Sequence, residues 1–151
     1  MRKWIAGALG AAVVVGAALP ATALPAEAGL AYHGYVTMGR GEVNVRITPR
    51  NHGVSRVQDA AVRLRWSKPL ADEQLLPAAC ARYDTTTVLC RTGAVAPLAQ
   101  GREIHLRVQL TDTSADGVRM EIDSVGSGGA ADRTPSAQQV LVLGTGDRYT
   151  F

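Results

Sequence analysis

Lysine is almost missing from this sequence, and aromatic rings are scarce. Lys3 and Lys68 are its two lysines, and aromatic residues fill 5% of 151 positions. With few rings, a broad stacking platform for sugars or bases is hard to build. Arginine supplies the remaining basic charge, but 13 acidic residues nearly match the 16 basic ones. That balance leaves no basic stripe of the kind nucleic acid requires, so no nucleic-acid partner is expected. Catalytic signatures are missing too. There is no G-x-S-x-G, no H-E-x-x-H and no phosphate-binding loop. Segments with helical hydrophobic period are also lacking.

What is present begins with an export signal. Arg2 and Lys3 precede an apolar run from Trp4 to about Leu19, and Ala21-Thr22-Ala23 and Ala26-Glu27-Ala28 offer small-residue cleavage sites. This order reads as a secretory signal peptide over residues 1–28. Removal of Arg2, Lys3 and Glu27 leaves 14 basic and 12 acidic residues, a net charge of +2. Residues 29–151 then form a single domain, long enough to bury a core. No second apolar span follows, so no membrane span is expected after cleavage. The expected location is the exterior, in the medium or loosely held at the cell wall.

The chain is organised around Cys80 to Leu110. Two cysteines in an exported chain pair more often than not, so Cys80 and Cys90 are expected to form a disulfide. Downstream, Ile104, Leu106, Val108 and Leu110 alternate with Glu103, His105, Arg107 and Gln109. Strict period-two alternation marks a half-buried strand. The same pattern runs through Glu42 to Thr48, ended by Pro49, and through Ala60 to Trp66 and Val118 to Val125. Weaker versions cover Gly29 to Met38, Thr85 to Arg91 and Gln138 to Leu143. Asn51-His52-Gly53 reads as a turn, Leu75-Leu76-Pro77 as an apolar plug under a long crossover, and Gly144 to Phe151 as a tail. About seven one-face-apolar strands predict an all-β fold, an Ig-like antiparallel β-sandwich, with a small barrel as the alternative.

The ordered motifs resemble a bacterial extracellular Ig-like repeat family known as a domain of unknown function. Val43, Val45 and Ile47 match its first strand, and Asn51-His52-Gly53 its turn. Leu76-Pro77, Cys80, Val88 and Cys90 follow in order, then a corner at Gly93, Val95, Ala96 and Pro97, and Asp132-x-x-Pro135 late in the chain. The resemblance covers roughly residues 42–143. The family's glycine after the corner proline is displaced here to Gly101, which suggests a three-residue insertion, and its tandem repeats are reduced to one copy. The resemblance implies a spacer or adhesion element and brings no catalytic residues.

Other chemistry has a simpler reading at each position. Asp112, Ser114, Asp116 and Asp123, with Gly117, partly match a calcium loop. A tight turn between strands uses the same residues for local hydrogen bonds. His33, His52 and His105 have no nucleophile or carboxylate at motif spacing, and Trp66 falls on the apolar side of its strand. The expected function is therefore a non-catalytic module with no cofactor and no metal. Its partner would be a protein or a cell-envelope glycan, and Arg82, Tyr83 and Asp84 between the cysteines form a candidate interaction loop. A secreted protease inhibitor braced around Tyr83, or a small glycan-binding module, is the alternative.

Overall fold

The structure is a computed structural model that describes residues 29–125 and 138–151. Nine strands run in order: β1 (Leu30–Gly39), β2 (Glu42–Asn51), β3 (Ala61–Trp66), β4 (Cys80–Arg82), β5 (Thr87–Arg91), β6 (Ile104–Gln109), β7 (Val118–Val125), β8 (Gln139–Leu143) and β9 (Arg148–Thr150). They form a four-stranded sheet, β6-β2-β1-β9, and a five-stranded sheet, β4-β5-β3-β7-β8. Every pairing is antiparallel. The fold is an all-β sandwich, not a closed barrel. The segment read as a signal peptide and the Asp132-x-x-Pro135 motif lie outside the described residues.

Alternation decides what is buried. Val43, Val45 and Ile47 of β2 and Leu106 and Val108 of β6 face Val62, Leu64 and Trp66 of β3 and Val118, Met120 and Ile122 of β7 in one core. Each such side chain contributes about 1.5–3 kcal/mol on burial. The Tyr32 hydroxyl meets the Ser124 hydroxyl at 2.9 Å inside this core, linking β1 of one sheet to β7 of the other. Trp66 packs in the core as its pattern predicts, and its indole N–H has no hydrogen-bond partner among the described residues.

The strand count differs from the sequence expectation for identifiable reasons. β4 and β9 are three residues each. They are too short to carry a period, and pairing alone makes them strands. β9 adds to β1 through Tyr35 opposite Thr150, and the Arg148 guanidinium lies 3.8 Å from the Tyr35 ring centroid. β2 does not end at Pro49 but runs to Asn51, with Tyr32 of β1 opposite the proline. The Pro49 carbonyl accepts from Gly101 on the side where β6 has not yet begun. The ring's missing N–H therefore falls on the flank away from β1 and costs no ladder bond with β1. Of the expected plug, only Leu76 packs on the core, while Leu75 is 96% exposed. Thr85 and Thr86 belong to the turn that precedes β5.

Asn51, expected to open a turn, is the last residue of β2 and is fully buried. Its amide donates to the carbonyls of Ser55 and Val95, and its side-chain oxygen accepts from Gly53 N–H. The Asp112 to Asp123 segment separates into three unrelated contacts. Asp112 accepts from the Ser114 N–H and hydroxyl, Asp116 accepts from Thr145 N–H, and Asp123 pairs with Arg63 across β3 and β7. β7 extends about 3.3 Å per residue, so Asp123 stands well up the strand from the turn that holds Asp112.

Two backbone positions set opposite requirements on side-chain size. In the Ala96-Pro97-Leu98-Ala99 corner, Ala99 N–H reaches the Ala96 carbonyl at 3.3 Å and Leu98 has φ 56°. This is a type II turn, whose third position suits glycine. Leu98 occupies the place directly after the corner proline where the resemblance expects glycine, and it is 68% exposed. Gly34 is the converse case, since a Cβ there would lie 1.8 Å from the Arg46 carbonyl oxygen. Leu98→Gly should therefore raise stability by about 0.5–1 kcal/mol, because relief of a left-handed leucine (about 1–2 kcal/mol) exceeds the entropy glycine adds to the unfolded chain. Gly34→Ala should lower stability by about 3 kcal/mol or more. Denaturant melts of both variants check the signs.

Candidate functional site

The site is built at one side of the sandwich, where β4 and β6 are the outermost strands of their sheets. Cys80 and Cys90 sit directly opposite each other in β4 and β5, with Cα atoms 4.0 Å apart, and form the expected disulfide. Flanking bonds from Arg91 N–H to the Ala79 carbonyl and from Tyr83 N–H to the Thr87 carbonyl continue the ladder. Cys90 is fully buried beside Val88, on the inward face that its periodicity predicts. Cys80 N–H donates to the Pro77 carbonyl, so the bridge anchors the end of the crossover.

The three residues of the candidate loop take separate roles. Arg82 is turned back onto the crossover. Its guanidinium donates to the carbonyls of Leu70, Ala71 and Asp72, and its Nε to Asp84. Asp84 accepts from the Thr86 N–H at 2.8 Å and from the Thr86 hydroxyl. Tyr83 projects from the hairpin tip and is 70% exposed. Two of the three residues therefore hold the loop, and one is free to meet a partner. The other rings do not join Tyr83 in a platform: Tyr32 and Trp66 are buried, and Tyr35 stacks with Arg148.

Beside the bridge lies a trench that the sequence did not reveal. Its upper part, about 620 Å³, is lined by Pro77, Ala78 and Ala79 before β4, by Arg91 to Ala94 after β5, and by Arg102 to His105 entering β6. A lower part of about 490 Å³ shares Pro77 and His105 and continues to Gln74, Leu75 and Arg107. Ala78, Ala79, Gly93 and Ala94 are small, which leaves the groove open where two sheet edges approach. Three distant segments build it, each reading as turn or polar strand face, so no local pattern announces it.

Charges around the trench are mostly paired. Arg91 meets Asp59 at 2.9 Å, Glu103 meets Arg46 at 3.6 Å, and Arg107 meets Glu42 at 3.7 Å. Arg102 has no ion-pair partner among the described residues. His105 lines the trench, while the His33 and His52 rings make an edge contact at 6.1 Å and take no part in it. Among the described residues no group of three His, Cys, Asp or Glu side chains is placed to hold a metal ion, and no helix is long and apolar enough to cross a membrane. Comparison with family models and with curated proteins returns no match to this sequence.

Two outcomes follow from these contacts. Arg82→Ala should lower stability by about 1–2 kcal/mol, since it frees four carbonyls from a charged donor. Arg82→Lys should recover little of that, because a point ammonium does not span the carbonyls a planar guanidinium spans. Thermal melts decide both.

The second outcome concerns acid. The Thr86 N–H holds the Asp84 carboxyl below its ordinary value, and the Ser114 hydroxyl does the same for Asp112. A carboxyl whose folded pKa is depressed stabilises the fold above its unfolded value, about 3.9, and loses that contribution as pH falls through the folded value. Asp84→Asn with Asp112→Asn should therefore lower the melting temperature at neutral pH and flatten its fall between about pH 4 and pH 2, where the variant and the wild type converge. An unchanged acid limb would contradict these assignments.

Proposed function

We propose that the protein is a secreted, non-catalytic Ig-like module of a bacterial cell exterior, and that it binds a partner through the trench beside Cys80–Cys90. The trench carries this reading. It is a preformed concavity with a mostly apolar lining and a few polar groups, which is the general form of a binding site. The disulfide supports the oxidising location, since such bonds persist outside the reducing cytosol. The resemblance to extracellular Ig-like repeats supports an adhesive or spacing role. A partner seated here would touch the crossover, the β5 exit and β6 together, so its binding would depend on the sandwich being assembled.

A second reading has one observation in its favour. Tyr83 stands exposed on a hairpin braced by a disulfide and by Arg82, the rigid presentation a protease inhibitor needs. Stoichiometric inhibition of a chymotrypsin-like protease, lost in Tyr83→Ala, would favour that reading.

The trench is tested with a photo-reactive amino acid placed at Ala94, on its wall, or at Arg119, on the outer face of the five-stranded sheet. Illumination on envelope material of the producing cell should give discrete adducts from position 94, reduced at least tenfold at position 119. Equal yields from both positions, or none from either, would contradict the assignment. Ala94→Trp, which fills the groove, should compete away none of the adducts that the wild-type protein displaces.

A further inference from the structure

One end of the trench wall is an unfinished β-sheet edge. β6 pairs with β2 on one flank, and the residues at its two flanks alternate. Gln109 fixes the phase. Its N–H donates to the Gln74 side-chain oxygen at 2.9 Å, and its carbonyl accepts from the Gln74 amide and from Ala71 N–H. The Gln74 carboxamide thus stands in for the peptide group of a neighbouring strand. Leu110 N–H, one residue on, points the other way, to Gly41.

By the same period, His105 and Arg107 turn their N–H and C=O groups outward, away from β2. Among the described residues no hydrogen bond reaches them, and both residues line the trench. Their outward groups repeat at about 7 Å, the repeat of an extended chain. Unpaired edge groups at that spacing are a template for another strand. The Gln74 plug closes the template at Gln109 and so limits the register of any guest.

We propose that the outer edge of β6 accepts an extended polypeptide segment, which continues the four-stranded sheet into the trench. This rests on the trench being the binding site. The guest's chemistry follows from the walls. Ala78, Ala79 and Ala94 leave room for aliphatic side chains on the face turned inward. Arg102, without an ion-pair partner among the described residues at the strand's entry, favours an acidic residue at that end of the guest. A sugar chain lacks the alternating donors and acceptors that β6 offers.

The probes are two capped hexapeptides of alternating valine and threonine, one with an N-terminal and one with a C-terminal aspartate. A third copies the better binder with every second backbone nitrogen methylated. Amide chemical shifts and exchange rates of the isotope-labelled protein are followed on titration. The expected result is a shift at His105 and Arg107, at least tenfold slower exchange there, and no change at Gln109. Methylation should weaken binding at least tenfold. His105→Pro, which removes an outward donor but no bond to β2, should do the same.

Equal binding by the methylated peptide, or no binding of any probe at millimolar concentration, overturns the proposal. So do concentration-dependent shifts at His105 without peptide, which would assign the edge to a second copy of this chain. Should His105→Pro fail to fold, the methylated peptide still decides. Strand addition fails on its own if His105→Pro leaves the adducts at position 94 unchanged; absence of those adducts when β6 is unaltered would instead remove the trench as a site.

Discussion

The sandwich depends on one layer of apolar side chains held between two antiparallel sheets. Period-two alternation supplies that layer from both sides, and the charged features of the fold are placed around it. The layer has few long aromatic members, so its density comes from branched aliphatic residues of β2, β3, β6 and β7. Tyr32 and Ser124 add a polar cross-tie within it. Burial of this kind is non-directional. It selects which face points inward but leaves the sheet edges to be settled by other means.

An open sandwich has four edges, and this one treats each differently. β9 is three residues long and is held to β1 by the Arg148 stack on Tyr35. β8 exposes Val140 and Val142 on its outer face. β4 is three residues long and is fastened to β5 by a covalent bond. β6 is sealed at Gln109 by the Gln74 side chain and open at His105 and Arg107. Short strands and covering groups are ordinary ways to blunt an edge. A partial seal next to an apolar trench is a different arrangement, and it carries the functional reading.

The fold was legible in the sequence where burial is one-sided and long. β2, β3, β6 and β7 stand nearly where alternation puts them, and Cys90 and Val88 share the predicted inward face. β4 and β9 were not legible, because three residues hold no period and only a partner strand defines them. Pro49 misled because its effect depends on which flank of β2 its nitrogen faces, a property of topology. The candidate site was legible only in part. Cysteine count located the bridge, and Tyr83 is as exposed as its place in the loop suggested. Arg82 turned back onto crossover carbonyls that local sequence does not identify, while Asp84 stays at the surface and holds the Thr86 N–H two residues on. The trench arises from three separate segments and the Gln74 plug from residues 35 positions apart, and nothing local encodes their meeting.

The central claim is that β6 is open over two residues and closed at its end. Amide hydrogen exchange along this strand, in the protein alone, tests that most directly. Slow exchange is expected at Leu106 and Val108, bonded to β2, and at Gln109, bonded to Gln74. His105 and Arg107 should exchange at least a hundredfold faster, near the rates of exposed turns. Protection of His105 and Arg107 equal to that of Leu106 and Val108 would contradict the open edge and, with it, the account of the trench.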